Sequence, residues 1–286
     1  RVGITEMGQG NLAACQSVAA QALGLPPERV EVCLPDTSTV ADSGPTVASR
    51  GAHASGLAIL DAIRRLRARL DPVAAELLGC APGEVELAAG RARGGGRELP
   101  VTAVVTELYA RRIEPIATGW YRSKRRSYDP ETGLGSPYEF YAMACHAARV
   151  AVDPELGLVE VREVAAAHDV GRVLHRDALE GQIEGGVVQG MGWALTERLV
   201  LQEGRLLNPG FTDYLIPTAA DAPRVAIRLV EEGDGNGPYG AKGIGEPSLI
   251  PTAAALRNAI SDALGVEVDC LPMTPPALVA AGIPPR

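Results

Sequence analysis

The sequence is poor in the residues that hold metals or contact polyanions. It has four histidines and five cysteines in 286 residues, and neither type recurs at the spacing of a metal-binding motif. No apolar run approaches the ~20 residues that cross a bilayer. Positive charge is outnumbered, and the net charge is −8. These absences argue against a metal held by protein side chains, a transmembrane helix, and a nucleic-acid or anionic-membrane surface.

The cysteines are odd in number and widely spaced, which predicts reduced, mostly buried thiols in a cytoplasmic protein. The first six residues lack both an initiator methionine and the apolar segment of a signal peptide, so we expect a fragment or a processed chain. One cluster, at residues 122–126 (Arg-Ser-Lys-Arg-Arg), departs from the acidic character of the chain. A solvated loop is favoured there over a patch that binds phosphate or a partner.

The periodicity of the apolar residues predicts both helices and strands. Helices are predicted at residues 12–23, 52–70, 102–111, 177–195 and 249–264, and strands at residues 29–34, 147–153, 158–164 and 225–230. Residues 36–51 are predicted to form a functional loop, and residues 87–100 an exposed turn rich in glycine and arginine. The stretch 119–137 has no clear periodicity and is the best internal boundary.

Two glycine-rich stretches predict a close approach of the backbone to another group. The helix at 177–195 has four glycines between residues 185 and 192. Each costs about 1 kcal/mol relative to alanine, so tight packing or a ligand must compensate. The loop 237–248 places four glycines and two prolines around Lys242 and Glu246. Glu246 is a candidate base near neutral pH, although an ordinary surface glutamate explains it equally well.

Residues 235–240 (Gly-Asn-Gly-Pro-Tyr-Gly) spell the G-x-G-x-x-G dinucleotide fingerprint after a predicted strand. That motif needs a helix that begins at the glycines, so that its amides face the pyrophosphate. Pro238 lies inside the motif, and Pro247 and Pro251 delay the next helix. A nucleotide-binding α/β domain is therefore a disfavoured alternative.

Two further segments precede helices and carry groups that suit an anion. Backbone amides at residues 6–10 (Glu-Met-Gly-Gln-Gly) could bind one, and Gln9 offers a donor and an acceptor, but an ordinary turn is favoured. The hydroxyls and amides of residues 46–50 (Thr-Val-Ala-Ser-Arg) suit phosphate oxygens. Ser49 as a simple helix N-cap explains that segment equally well.

Taken together and in this order, these segments resemble the xanthine dehydrogenase/aldehyde oxidase family of molybdenum hydroxylases. The matching segments are residues 7–10 (Met-Gly-Gln-Gly), 45–50 (Pro-Thr-Val-Ala-Ser-Arg), 181–190 (beginning Gly-Gln-Ile-Glu-Gly-Gly), 213–217 (Asp-Tyr-Leu-Ile-Pro) and 240–247 (Gly-Ala-Lys-Gly-Ile-Gly-Glu-Pro). They match the C-terminal part of the molybdopterin-binding subunit. The resemblance implies an α+β fold of mixed sheets with packed helices, in two molybdopterin-binding subdomains at residues 1–120 and 121–286.

The resemblance also assigns site residues. The implied contacts to molybdopterin, which in bacteria is often the cytosine dinucleotide, are Met7, Gly8, Gln9, Gly10, Thr46, Ala48, Ser49, Arg50, Gln189 and Gly245. Glu246 matches the catalytic base of the family. Molybdenum itself would be held by the pterin dithiolene and not by protein side chains.

The implied reaction is hydroxylation of a purine-like N-heterocycle or an aldehyde. Water would supply the oxygen, and Glu246 would activate the hydroxide on molybdenum. Electrons would leave through 2Fe-2S clusters and FAD on partner domains or subunits. The remaining half of the molybdenum subunit, with its glycine-rich segment and substrate-orienting residues, is an expected partner, as is a second copy in a homodimer of the heteromeric unit.

Two departures from the family weaken any inference about the substrate. His175 and Asn11 stand where Asn and Thr are expected. The alternative function is a non-catalytic cofactor-binding or maturation partner of the same fold.

Overall fold

The structure is a computed structural model and describes residues 1–123, 127–233 and 236–281. Its helices are α1 (Asn11–Leu23), α2 (Gly51–Leu78), α3 (Val101–Ala110), α4 (Arg176–Leu195), α5 (Thr252–Leu264) and α6 (Pro275–Ala280). Its strands are β1 (Glu86–Ala88), β2 (Arg91–Gly94), β3 (Arg97–Pro100), β4 (Ala144–Asp153), β5 (Leu158–Asp169), β6 (Leu201–Gln202), β7 (Arg205–Leu206) and β8 (Arg224–Val230). Packed helices together with antiparallel and mixed sheets confirm the predicted α+β class. Residues 124–126 of the basic cluster and Gly235 of the G-x-G-x-x-G match lie outside the described ranges.

The chain divides into two compact units. The first consists of residues 1–141 with the short segments 172–176 and 233–242, and the second consists of residues 142–171, 177–232 and the chain from residue 243 onward. The main boundary thus lies at Tyr141, whereas the predicted boundary between cofactor-binding subdomains lies at residue 120. The division into cofactor-binding subdomains stays a prediction.

Helix α2 extends beyond the predicted end at residue 70, because it continues through Pro72 to Leu78. Proline in a helix interior removes a backbone hydrogen bond and costs about 3 kcal/mol. The extension buries Val73, Ala74 and Leu78 in a cluster with Leu108 of α3, and all four are at most 3% exposed. Burial contributes about 1.5–3 kcal/mol for each large aliphatic side chain, so the packing outweighs the proline.

The segment 87–100, predicted as an exposed turn, forms an antiparallel sheet with the order β1-β2-β3. The prediction is wrong because glycine and arginine hide the alternation of the strands. Ala92 is fully buried in the core cluster of the first unit. The next residue, Arg93, is exposed and pairs with Glu98 at 3.1 Å. Buried and exposed residues alternate at this point of β2, but the buried one is Ala92, whose small side chain gives only a weak apolar signal.

Residues 29–34, predicted as a strand, are assigned to no strand in the described structure, so this prediction is wrong. The segment begins with a 3₁₀ turn at Pro27–Arg29. The side chain of Gln16 on α1 donates to the carbonyls of Pro27 and Val30 at 3.0 and 2.8 Å. The side chain of Gln16 therefore provides backbone carbonyls here with the hydrogen-bond donor that a neighbouring strand would provide in a sheet.

The second unit is organised on a sheet with the order β4-β5-β8. β4 and β5 form the predicted antiparallel hairpin, and β8 pairs with β5 in parallel. Arg149 opposes Glu163 and Val150 opposes Val161, so Arg162 is an extra residue in β5. This bulge shifts the alternation of β5 halfway along the strand.

Two buried clusters attach α4 and α5 to this sheet. Ile183 and Val187 of α4 pack with Val164 of β5. Further along α4, Met191 packs with Leu256 of α5 in the second cluster. The helix predicted at residues 177–195 is thus confirmed, and the two clusters anchor its middle and its C-terminal half, with Gln189 between them.

The cysteines behave only partly as expected. All five are free thiols, but Cys15 alone is buried, and Cys33 and Cys145 are exposed, so the prediction of mostly buried thiols is wrong. Burial raises the pKa of Cys15 to about 11, which makes it a poor nucleophile at neutral pH. Within the described ranges, the helices are too short or too polar to cross a membrane.

Candidate functional site

The loop before α1 is organised around the carboxylate of Glu6. Its Oε1 accepts the backbone amides of Gly8 and Gly10 at 2.9 and 3.0 Å, and its Oε2 accepts the amide of Leu12 at 3.0 Å. Burial, which raises the pKa of Glu6, is outweighed by these backbone hydrogen bonds, so the pKa lies below its ordinary value. The backbone amides of Gly8 and Gly10, which could have bound an external anion, therefore already donate to the carboxylate of Glu6.

The side chain of Gln9 closes the same loop. Its Oε1 accepts the amide of Met7 at 2.5 Å, and its Nε2 donates to the carbonyl of Thr5 at 2.8 Å. Met7 is 68% exposed, and a Cβ added at Gly8 would meet nothing within 4 Å. The loop therefore presents open main chain and an exposed methionine on a fixed frame.

The second predicted segment, residues 46–50, lies beside this loop. Oγ1 of Thr46 accepts the backbone amide of Thr5 at 3.0 Å, which joins two segments 41 residues apart. A Cβ at Gly51 would also lie 2.5 Å from Nδ2 of Asn11, so the starts of α1 and α2 pack closely. The structure thus brings the two predicted segments of the first unit together.

The turn into α2 is strained. Ala48 and Ser49 have φ of 56° and 51°, a left-handed conformation that costs of order 1 kcal/mol or more for residues other than glycine. The N-cap of α2 is Arg50, which makes no capping hydrogen bond with its side chain, so the interpretation of Ser49 as a simple N-cap is wrong. Consecutive left-handed residues are typical of backbone that is shaped for a ligand or held by its surroundings.

Arg50 fixes this turn from one side. Its guanidinium donates to the carbonyl of Ser43 at 2.6 Å and to the carbonyl of Pro45 at 3.1 and 2.8 Å. Those hydrogen bonds use Nε and Nη2, so the guanidinium of Arg50 stabilises its own loop. A direct contact between Arg50 and a phosphate stays a prediction.

A polar cluster that the sequence analysis missed surrounds His53, a buried residue in the first turn of α2. Nε2 of His53 lies 3.1 Å from Oε2 of Glu139 and 3.3 Å from the hydroxyl of Tyr121. Ser123 donates to the other carboxylate oxygen at 2.7 Å, and Asn236 donates to the backbone carbonyl of Glu139 at 3.1 Å. The cluster ties the irregular segment before Tyr141 to the helix that follows the strained turn. Its members lie more than 60 residues from His53 along the chain, so no local pattern indicates it.

Close contacts explain two of the glycines that weaken α4. A Cβ at Gly186 would lie 2.5 Å from Cβ of Ser248, and a Cβ at Gly190 would lie 2.6 Å from Cβ of Thr252. Tight packing therefore explains these two glycines, because only glycine lets the loop before α5 lie against the helix. Gln189 is exposed on the same helix, next to this contact.

The loop that carries Glu246 is a series of tight turns held by a buried serine. Ser248 is fully buried, and its hydroxyl donates to the carbonyl of Gly245 at 2.9 Å. The amide of Leu249 donates to the carbonyl of Glu246 at 3.2 Å. Gly245 and Glu246 are themselves exposed. The carboxylate thus stands on an ordered loop that is anchored through Ser248 to α4.

Other residues of this loop are fixed by contacts within the protein. A Cβ at Gly237 would collide with the carbonyl oxygen of Ala241, so glycine is needed to close this turn. Pro238 lies against α2, where a Cβ at Gly56 would be 2.6 Å from its Cγ. Pro238–Gly240 forms a 3₁₀ turn, and α5 begins only at Thr252. This geometry does not provide the helix start that the dinucleotide fingerprint requires.

A pair of histidines lies in the second unit. Nε2 of His146 is 2.8 Å from Nε2 of His168, and Nδ1 of His146 is 3.1 Å from Oγ1 of Thr252. Burial and, for His146, the nearby charge of His168 lower the pKa of both rings, to about 4 for His146. The lowered pKa values favour the neutral form of both rings near neutral pH, and the 2.8 Å contact fits one ring donating to the other.

The predicted site residues therefore fall into two groups. Met7, Gly8, Gln9 and Gly10 lie with Thr46, Ala48, Ser49 and Arg50 in the first unit, whereas Gln189, Gly245 and Glu246 lie in the second. Among the described residues, no three His, Cys, Asp or Glu side chains form a group that could hold a metal ion. The donors in the two groups are main-chain amides, hydroxyls, carboxamides and the guanidinium of Arg50.

Comparison with known proteins gives consistent matches. The chain matches the molybdopterin cofactor-binding domain family over residues 1–223. It is 30% identical over 287 residues to the xanthine dehydrogenase molybdenum-binding subunit of Escherichia coli O157:H7, covering 96% of this chain and 36% of that subunit. It is 32% identical over 289 residues to the nicotine 6-hydroxylase large subunit of Paenarthrobacter nicotinovorans, covering 98% of this chain and 34% of that subunit.

A solved structure agrees in fold. Quinoline 2-oxidoreductase from Pseudomonas putida 86 is similar with a TM-score of 0.84 at 27% identity, over 97% of this chain and 36% of that one. The chain thus spans about a third of the length of the relatives that it matches.

The residues present fit an organic cofactor with a polar pterin edge and a phosphate. Gly8 leaves open main chain, and Ala48 and Ser49 hold strained main chain at the turn before α2. Gln189 offers an exposed carboxamide with both donor and acceptor groups. The chain therefore belongs to the molybdopterin cofactor-binding domain family and is similar to about a third of the molybdenum-binding subunit of a xanthine dehydrogenase.

Proposed function

We propose that this chain forms part of the active site of a molybdenum hydroxylase that oxidises an N-heterocycle or an aldehyde, with water as the oxygen source. The observation that carries the proposal is the match over 96% of the chain to the molybdenum-binding subunit of a xanthine dehydrogenase. Two other relatives are named for nicotine and quinoline, which are also N-heterocycles, and this favours a heterocyclic substrate.

The cofactor would be held mainly by main chain and neutral side chains. In the first unit, the loop at residues 7–10 and the turn at residues 46–50 would contact the pterin and its phosphate. In the second unit, Gln189 would hydrogen-bond the pterin. The cytosine dinucleotide form stays part of the proposal because the resemblance to the family implies it, since bacterial members often bind molybdopterin in that form. Arg50 would support this contact by fixing the turn through Ser43 and Pro45.

When bound, molybdopterin with its metal would accept the two electrons of the oxidation and activate a water molecule. Glu246 would take a proton from that water at a carboxylate oxygen, which raises the nucleophilicity of the remaining oxygen. Ser248 holds the loop that carries Glu246, because its hydroxyl donates to the carbonyl of Gly245. The proposed role of Glu246 needs no covalent bond to the substrate.

The complete enzyme would need further parts. We propose that 2Fe-2S and FAD partners carry the electrons away, that the rest of the molybdenum subunit orients the substrate, and that the assembly works in the cytoplasm. A homodimer of this heteromeric unit is also proposed.

The test is a Glu246→Gln variant in the assembly purified with its natural partners. We expect molybdenum and pterin contents equal to those of the wild type, and turnover of xanthine, nicotine, quinoline or benzaldehyde, whichever the wild type oxidises, reduced by about 10²–10⁴-fold. Glu155→Gln is the matched control, because Glu155 is an exposed glutamate in the same unit. Unchanged turnover would refute the role of Glu246. A wild-type assembly without molybdenum and without turnover would instead support a maturation partner.

A further inference from the structure

The histidine pair of the second unit has no part in the proposed function as it stands. His146 lies on β4 and His168 on β5, where His168 is paired with Ala144 across the hairpin. Because residues two apart on a strand share a face, the two rings are diagonal neighbours on one face of the sheet. His168 is 1% exposed, and its Nε2 lies 2.8 Å from Nε2 of His146. The second ring therefore holds the first from within the sheet.

The other ring nitrogen of His146 contacts the start of α5. Its Nδ1 lies 3.1 Å from Oγ1 of Thr252, the first residue of α5 and a fully buried one. Since the two Nε2 atoms are 2.8 Å apart, one ring donates a proton to the other. Either arrangement lets Nδ1 of His146 bond the threonine, because a hydroxyl group both donates and accepts. Both nitrogens of His146 are thus engaged, and its ring has a fixed orientation.

The turns of the loop before α5 link Thr252 to Glu246. The amide of Thr252 donates to the carbonyl of Leu249 at 3.2 Å. The amide of Leu249 donates in turn to the carbonyl of Glu246 at 3.2 Å. Hydrogen bonds and peptide units therefore connect the histidine pair to the main chain of Glu246.

The same threonine lies against the helix that carries Gln189. A Cβ at Gly190 would lie 2.6 Å from Cβ of Thr252 and 3.0 Å from the carbonyl oxygen of Leu249. Close-packed contacts of this kind transmit small displacements, because they leave no space to absorb them. A shift of Thr252 would therefore move the loop that carries Glu246 relative to α4.

We propose that His146 is a positioning residue for Glu246 and acts through the hydroxyl of Thr252. Glu246 is exposed on a loop, so its position depends on how that loop is anchored. Ser248 provides one anchor, and Thr252 provides the other. A base must lie within hydrogen-bond distance of the proton that it takes, and a misplacement of about 1 Å can cost about 10²-fold in rate. The inference rests on the proposed function, because it presumes that Glu246 is the base.

Two variants of His146 separate the contacts of its two nitrogens. In His146→Asn the carboxamide takes the place of Nδ1 and can still bond Thr252. In His146→Gln the carboxamide reaches the place of Nε2, so the bond to Thr252 is lost. In the assembly purified with its natural partners, kcat of His146→Gln for the substrate that the wild type oxidises should fall by about 10–100-fold, with KM within about twofold. His146→Asn should keep kcat within about threefold of the wild type, because the positioning bond is retained.

Two variants of Thr252 test the hydroxyl itself. Thr252→Val keeps nearly the same shape without the hydroxyl, and its kcat should fall by about as much as that of His146→Gln. Thr252→Ser keeps the hydroxyl and is the matched control, with kcat close to that of the wild type. The molybdenum and pterin contents of all four variants should equal those of the wild type.

Hydrogen exchange in the same assemblies gives a readout that does not depend on turnover. The amides of Leu249 and Thr252 should exchange about tenfold faster in His146→Gln and Thr252→Val, because the loop opens more often when its second anchor is lost. The amide of Val268, which donates to Oγ of Ser261 near the other end of α5 at 3.1 Å, is the internal control and should keep its rate.

The outcomes separate this inference from the proposed function. If Glu246→Gln abolishes turnover while His146→Gln and Thr252→Val turn over normally, the positioning role is wrong and the function stands. Equal losses in His146→Gln and His146→Asn, faster exchange without a loss of kcat, or loss of molybdenum from these variants would also overturn the positioning role. Normal turnover of Glu246→Gln would contradict the base and the inference together.

Discussion

Glu6 and His53 show how single side chains shape the candidate site through hydrogen bonds within the chain. The carboxylate of Glu6 accepts hydrogen bonds from three main-chain amides at the start of α1. His53 connects Glu139 to the start of α2. An acidic residue just before a predicted helix is a readable signal for Glu6, because carboxylates are favoured at helix N-termini. For His53 no such signal exists, because its partners are distant in the sequence.

At this scale we predict that Glu6→Ala destabilises the chain. Three amides would lose their acceptor, so the free energy of unfolding in urea should fall by about 1–3 kcal/mol. Glu6→Gln keeps one carbonyl oxygen as an acceptor and should lose less. Glu28→Ala, at an exposed glutamate of the same unit, should change little. Equal stability of Glu6→Ala and the wild type would show that water replaces the carboxylate without loss.

At the scale of elements, packing decided where propensity was ambiguous. Helix α2 continues through Pro72 because the next two turns are buried, and α4 tolerates Gly186 and Gly190 because Ser248 and Thr252 lie against them. The strands β1 to β3 escaped prediction because their only fully buried side chain is Ala92. Elements with a strong apolar period, such as β4, β5 and α1, were predicted within a few residues of their bounds.

The contact between β4, β5 and α5 predicts a pH dependence. The pKa values of His146 and His168 lie below the ordinary value of 6.5, so the unfolded chain takes up more protons as the pH falls below about 6.5. The free energy of unfolding should therefore decrease from pH 6.5 towards pH 4, with the pair contributing about 1–3 kcal/mol. Above pH 7 the pair should contribute no pH dependence.

Denaturant unfolding at pH 7.5 and pH 5 measures this effect. His146→Gln should reduce the loss of stability between the two pH values, because one group with a lowered pKa is removed. His175→Gln, at an exposed histidine, serves as the control. The same loss of stability in wild type and His146→Gln would contradict the assignment.

At the scale of the whole molecule, the chain has separate cores in its two units. Leu108 belongs to the core of the first unit and Ile260 to a core of the second, and both are fully buried. The core clusters have no member in common among the described residues. Packing defects in the two units should therefore act independently.

We predict that Leu108→Ala and Ile260→Ala each cost about 2–5 kcal/mol, as large-to-small core substitutions do. Their costs should add within about 0.5 kcal/mol in the double variant. Hydrogen exchange should localise the first defect to α2 and α3 and the second to α4 and α5. A coupling energy well above 1 kcal/mol would show that the two cores unfold as one.

The sequence by itself determined the fold class, most of the helices, the β4–β5 hairpin and the family. These depend on local periodicity and on short segments whose order along the chain is visible without a structure. The tertiary structure decided which glycines allow close packing, that Glu6 accepts the main-chain amides before α1, and that Thr46 lies beside Thr5. Those facts depend on contacts between residues far apart in the chain, where burial and hydrogen bonding outweigh local preference and leave no pattern in the sequence.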